Sequence, residues 1–197
     1  MSDFAVLELA PGAHQHRSRL LEGMAHAVAA KGYAETTIAD IVREASVSRR
    51  TFYEHFSTKA DCLVALYDAA SRNALKVLRE AIDPSRDWEV QVEHATAAYL
   101  GALASNPVLL RTLYIEILGL GAGGLAARRR VNQEIADFIV GVVAAGHGKP
   151  LAPELGMAIV GGINELVLQY IEQDRVEHLE EVVAPASRLV RAVAGSH

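Results

Sequence analysis

The chain has 197 residues, room for one large domain or a small domain joined to a larger one. Hydrophobic residues make up 51% and aromatics only 6%, with Ala, Leu and Val abundant, a balance that favours helix over strand. The formal net charge of -5 excludes a global basic excess as the source of any nucleic-acid affinity, and the single cysteine, Cys62, excludes a disulfide within the chain. No charged-then-apolar leader opens the sequence, and no apolar run reaches the roughly 18 residues that span a bilayer. The expectation is a soluble, cytoplasmic protein with no membrane segment, and Cys62 as a small apolar residue near the start of a helix.

Residues 1–14 contain Pro11 and Gly12, lack periodicity and read as a mobile N-terminal arm. From about Gln15 to Ala30, Leu20, Leu21, Met24, Ala27 and Val28 recur at helical spacing, and Gly32 ends the helix. Thr37 with Asp40 three residues on resembles a capping box and opens a helix to about Ala45, with Ile38, Ile41 and Val42 on one face. Ser46-Val47 makes a turn, and Ser48 caps a helix from Arg49 to His55. A fourth helix follows Ser57-Thr58 and runs to about Ile82, where Asp83-Pro84-Ser85 breaks it. Helical patterns resume over 86–104, 107–119, 124–146, 151–173 and 176–194. No window alternates with period two, so the fold class is all-α, with about nine helices.

The most telling stretch is TTIADIVREASVSRRTFYEHFSTK, Thr36 to Lys59. Phe52 and Phe56 are four apart, share a helix face and read as core. The other side of that helix carries Arg49, Arg50, Tyr53 and Glu54, flanked by Thr51 and His55. The pattern Arg19-Leu20-Leu21 through Gly32-Tyr33, then Thr36-Thr37-Ile38-x-Asp40-Ile41, then Ala45-Ser46-Val47-Ser48-x-x-Thr51-Phe52-Tyr53-x-His55-Phe56-x-x-Lys59 resembles the DNA-binding domain of the tetracycline-repressor (TetR) family. It departs from the family at Ser46, where a Gly is usual; a positive φ there costs Ser roughly 1 kcal/mol relative to Gly.

The resemblance implies a three-helix helix-turn-helix DNA-binding domain over 15–60 and a helical ligand-binding and dimerisation domain over 61–197. It implies three kinds of partner: an operator in double-stranded DNA, a small-molecule effector and a second copy of the chain. Within the motif, Arg49 and Arg50 are the candidates for guanine edges, which accept two parallel hydrogen bonds from one guanidinium. Tyr53 is a candidate for a base methyl or a phosphate. Thr37, at a helix N-terminus, joins His55 and Lys59 as phosphate contacts, assisted by Thr36, Ser48 and Thr51. Residues 1–63 hold seven Lys/Arg against eight Asp/Glu, a net of -1, so attraction to DNA relies on placement, and few phosphate contacts imply a modest salt dependence.

The family also implies a small-molecule cavity within 86–146. Candidate lining residues are Trp88, His94, Tyr99, Leu103, Tyr114, Leu118, Phe138 and Val142, an apolar set suited to a hydrophobic ligand. Val160-Gly161-Gly162-Ile163-Asn164-Glu165-Leu166-Val167 resembles a dimer-forming helix of the family. Leu155, Ile159, Gly162, Ile163, Leu166 and Tyr170, with Leu189 and Val193 from the last helix, are the expected surface of an isologous four-helix interface. Such a dimer reads a pseudo-palindrome. Two other classes compete with a ligand-released repressor: a dimerisation or protein-binding module with a degenerate DNA-binding head, and an all-helical enzyme. The sequence has no G-x-S-x-G, no H-E-x-x-H and no glycine-rich phosphate loop, so no catalytic residue, metal or cofactor is expected.

Overall fold

A computed structural model describes residues 13–147 and 150–195, so most of the expected N-terminal arm lies outside the described residues. Among the described residues there are nine α-helices, two 3-10 segments and no strand, and no helix is long and apolar enough to cross a membrane. The chain folds as two compact units. The first comprises the chain to Asn73 together with Val108–Arg128, and the second comprises Ala74–Pro107 together with Arg129 onwards.

The first unit is built on α1 (Ala13–Glu35), α2 (Ile38–Glu44) and α3 (Arg49–His55), with the opening of α4 (Lys59–Glu80), α6 (Pro107–Tyr114) and a 3-10 turn at Glu116–Leu120. Helix α1 begins at Ala13, inside the stretch expected to be the arm. Its apolar stripe of Leu20, Leu21, Met24, Ala27 and Val28 is buried with Ile41, Phe52, Phe56, Cys62, Leu63 and Leu66 in one cluster. Cys62 is an inert core thiol: burial pushes its pKa up to about 12, and its Sγ lies 3.8 Å from the Leu20 carbonyl. Gly32, at φ 77°, breaks α1 sharply before its last residues, a conformation that only glycine adopts cheaply.

Helix α2 ends in a Schellman motif. Val47 N donates to the Val42 carbonyl at 3.0 Å and Ser46 N to Arg43 at 3.1 Å, with Ser46 left-handed at φ 51°. Arg19 on α1 donates to the Ser46 carbonyl at 2.8 Å and fixes the turn from outside. Ser48 then caps α3, its hydroxyl accepting from Thr51 N at 3.0 Å. The turn chemistry thus aims α3, while Phe52 pins it.

The second unit contains α5 (Trp88–Ala104), most of α7 (Ala122–His147), α8 (Pro153–Glu172) and α9 (Val183–Gly195). Leu75, Leu78, Ala95, Ile135, Ala136 and Val160 form one buried cluster; Val92, Val143, Leu151, Ile159, Val190 and Ala194 form another. Two expected helices are broken. The 107–119 stretch stops at Tyr114 and tightens into the 3-10 turn before Gly121, at φ 59°. The 176–194 stretch opens as a 3-10 segment, Val176–Val182, and becomes regular only at Val183. Pro185 explains the second break: it has no N–H to give and its ring crowds the carbonyl four residues back, so it fits only the first turn of a helix.

Helices α1 and α2 touch at Gly23, where an added Cβ would lie 2.6 Å from the Ile41 carbonyl oxygen and 2.8 Å from Ala45 N. Both obstacles are backbone and cannot swing away. Gly23→Ala is therefore expected to destabilise the first unit by about 1–3 kcal/mol, read as a lower urea midpoint; an unchanged midpoint contradicts the close approach.

Candidate DNA-reading surface and apolar chamber

Helix α3 presents its polar side to solvent. Arg49 is exposed and makes no hydrogen bond or ion pair among the described residues. Arg50 Nε donates to Glu54 Oε1 at 3.1 Å, both side chains lying outside the core. Tyr53 is 59% exposed, its ring edge-on to buried Phe52. Thr51 and Ser48 pair their hydroxyls at 2.9 Å. His55 is half-buried and stands edge-on to His16 of α1, centroids 6.4 Å apart, while Arg17 lies over the Phe56 ring at 4.9 Å. Ser48, Arg49, Arg50, Thr51, Tyr53 and His55 thus share one small helix and its cap.

The start of α2 adds Thr37, exposed and in a full capping box with Asp40. Asp40 Oδ2 accepts from Thr37 N at 2.9 Å and from the Thr37 hydroxyl at 2.6 Å; Lys31 Nζ donates to the same oxygen, and Arg43 lies 3.2 Å from Oδ1. These donors, the Lys31 ammonium first and then Thr37, hold the Asp40 carboxyl well below the usual carboxylate range. Lys31 was not singled out in the sequence. The signal for it is the nine-residue separation that brings the end of α1 beside the first turn of α2.

Two residues expected at phosphates face inwards. Thr36 is buried, and its hydroxyl donates to the Gly32 carbonyl at 2.7 Å, closing the break in α1. Lys59 Nζ donates to the carbonyls of Thr36 at 2.7 Å, Tyr33 at 2.9 Å and Ala34 at 3.2 Å, and sits 4.4 Å from the Tyr33 ring centroid. Three acceptors occupy all three ammonium donors, so Lys59 is a structural clamp. Glu116, also not anticipated, accepts from Tyr33 N at 3.0 Å from the far side of the same break.

In the second unit a cavity of about 70 Å³ lies among α5, α7 and α8, lined by Trp88, Tyr99, Phe138 and Val142 of the expected set. The rest of the wall includes Leu78, Ile82, Val92, Ala95, Ile135, Ile139, Val160 and Ile163, with Thr96 and Asn164 as polar members. Both polar groups are engaged: the Thr96 hydroxyl donates to the Val92 carbonyl at 2.7 Å, and the Asn164 amide to Asn132 Oδ1 at 3.3 Å. No ionisable carboxylate or cation lines the chamber. An outer groove that shares Ile82, Trp88, Phe138 and Val142 with it carries Arg86, Gln91 and Asp137. His94 is exposed, Leu103 is buried away from the cavity, and Tyr114 and Leu118 belong to the first unit, so none of the four is in this wall.

The expected dimer face is divided. Ile159 is fully buried in its own unit, and Leu155, Ile163 and Val193 pack against the same cluster. Gly162 lies close to Leu189 of the same chain, where an added Cβ would come within 2.8 Å of its Cδ2. Leu166 and Tyr170 are half-buried, the Tyr170 hydroxyl donating to Glu181 at 2.8 Å. The outer surface of α8 carries the exposed Ala158, Gly161, Glu165 and Gln169.

Residues 20–66 match the profile of the bacterial regulatory proteins, tetR family. An uncharacterized HTH-type transcriptional regulator, YxbF of Bacillus subtilis (strain 168), is 31% identical over 77 residues, 39% of this chain, and the match spans only 20% of that relative's length. The fatty acid degradation regulator FadR of Bacillus halodurans superposes with a TM-score of 0.80 at 18% identity, covering 93% of this chain and 96% of that one. FadR of Bacillus subtilis, solved in complex with stearoyl-CoA, superposes with a TM-score of 0.74 at 16% identity, covering 91% and 98%. At such identities the two structural likenesses are likenesses of fold.

The Asp40 network sets a pH dependence. A carboxyl whose folded pKa is depressed adds stability that is fully present above the unfolded value, about 4, and is lost as pH falls towards the folded one. Urea denaturation at pH 6 and at pH 3 is expected to show the gap between wild type and Asp40→Asn narrowing at the lower pH. A gap independent of pH contradicts the assignment.

Proposed function

We propose that this chain is a transcriptional regulator of the tetR family, a repressor that binds a pseudo-palindromic operator as a homodimer and leaves it when a small hydrophobic molecule fills the chamber. The observation that carries this reading is the pairing of a solvent-facing, arginine-bearing α3 in one unit with an apolar, uncharged cavity in the other. Arg49 and Arg50 supply base contacts; Thr37, Ser48 and the α2 N-terminus supply phosphate contacts. The outer surface of α8, with Leu166, Tyr170 and Leu189 beside it, meets its copy across a two-fold axis.

The chamber suits a ligand whose inserted part is uncharged, because a charge taken there would lose its hydration and gain no partner. Any polar end would stay in the outer groove near Arg86 and Gln91. The stearoyl-CoA held by the Bacillus subtilis FadR supports an acyl-type effector here. The present cavity, about 70 Å³, is well below the roughly 300–1,000 Å³ of sites that enclose a drug-sized ligand. A larger ligand must part α5, α7 and α8, and that widening gives it different affinities for two states of the protein, without which no effector shifts anything. Helix α4 contributes Lys59 to the clamp of the first unit and Leu78 to the chamber wall of the second, and is the transmitting element in this reading.

An electrophoretic shift assay with a randomised palindrome library is expected to enrich one site; enrichment of none rejects the repressor. On that site, stearoyl-CoA is expected to release the protein where CoA alone does not. Ala95→Leu, which fills the chamber, is expected to keep DNA binding and lose the response, whereas an unaltered response places the effector elsewhere.

A further inference from the structure

Resting on the reading of α3 as the element that enters the major groove, we infer that Glu54 is a base-reading residue whose carboxylate accepts a hydrogen bond from the exocyclic amino group of a cytosine. A helix turns about 100° per residue, so Arg50 and Glu54 both lie within about 20° of the direction opposite Phe52, the buried anchor of α3. They are the two side chains that point most directly away from the core. Arg49 and Tyr53 fall to one side of them and Thr51 and His55 to the other.

The pair is only half used internally. Arg50 Nε engages Glu54 Oε1 at 3.1 Å, with side-chain exposures of 90% and 54%. The two terminal nitrogens of Arg50 and Oε2 of Glu54 have no partner among the described residues. Together they offer a donor fork beside an acceptor. In the major groove guanine shows two acceptors, O6 and N7, while cytosine shows a single donor, N4. A carboxylate brought against DNA meets phosphate repulsion and loses water, a cost offset only where it finds a cation and a donor. Arg50 is the cation. Thymine and guanine would present acceptors to Oε2, and adenine sets its acceptor N7 beside its amino group, so cytosine is the base whose edge is complementary. Glu54 therefore turns the one acidic residue of α3 into a source of sequence preference.

The test is selection of bound duplexes from a randomised library by the full-length wild type, Glu54→Gln and Glu54→Ala, with circular dichroism confirming that each variant folds. The wild-type motif is expected to hold a cytosine at one position of each half-site, preferred about tenfold over the other bases in direct binding. Glu54→Gln is expected to replace that cytosine with adenine, whose N6 and N7 match a carboxamide. Glu54→Ala is expected to leave the position degenerate and the others unchanged. A wild-type motif that survives intact in both folded variants overturns the inference and leaves DNA reading in place. A wild type that enriches no motif overturns both.

Discussion

One ammonium group resolves the problem that the rest of the DNA-reading unit inherits. When α1 breaks at Gly32, the carbonyls of its last turn lose their helical partners close to the core, where each unsatisfied acceptor is costly. Lys59 takes two of these carbonyls, those of Tyr33 and Ala34, together with that of Thr36 just beyond, the Thr36 hydroxyl takes that of Gly32, and Glu116 takes the freed Tyr33 amide. A cation at a helix C-terminus is also favoured by the helix dipole. The start of α2 hangs from this knot, since Thr37 follows Thr36 directly, and α3 hangs from α2 through the Ser46 turn. The orientation of every exposed group on α3 thus depends on a lysine that never reaches the surface it supports.

The sequence was most legible where local chemistry decides the structure. The apolar spacing of Leu20, Met24 and Val28, the Thr37–Asp40 box and the Ser48 cap each determine a conformation within one turn of helix. Ser46 stood out because a non-glycine residue occupied a place that demands positive φ, and it adopts φ 51°. Most of the misreadings were of long range. Lys59 and Thr36 looked like phosphate contacts because each sits at a helix start, and nothing local announces that carbonyls from the end of α1 lie beside them. Pro185 was a local signal passed over, and it divides the last helix.

The chamber shows the same limit from the other side. Periodicity tells a buried face from an exposed one, but it does not tell which buried side chains border a void. Trp88, Tyr99, Phe138 and Val142, all partly buried, line it, whereas Leu103, apolar and more deeply buried, does not. Helix α8 carried an apolar stripe wide enough to serve two surfaces. Its inner half, centred on Ile159, closes its own core, which leaves the small residues Ala158 and Gly161 outermost. Asn164, part of the stretch that resembles a dimer-forming helix, donates instead to Asn132 of the same chain.

The position of Trp88 has a practical meaning. It is the sole indole in the chain, and it borders both the inner cavity and the outer groove. Tryptophan emission from this protein therefore arises at one spot, the threshold between the two spaces. The molecule carries its own lamp at the doorway, so the arrival of a guest can be watched in unlabelled material, whether or not DNA is present.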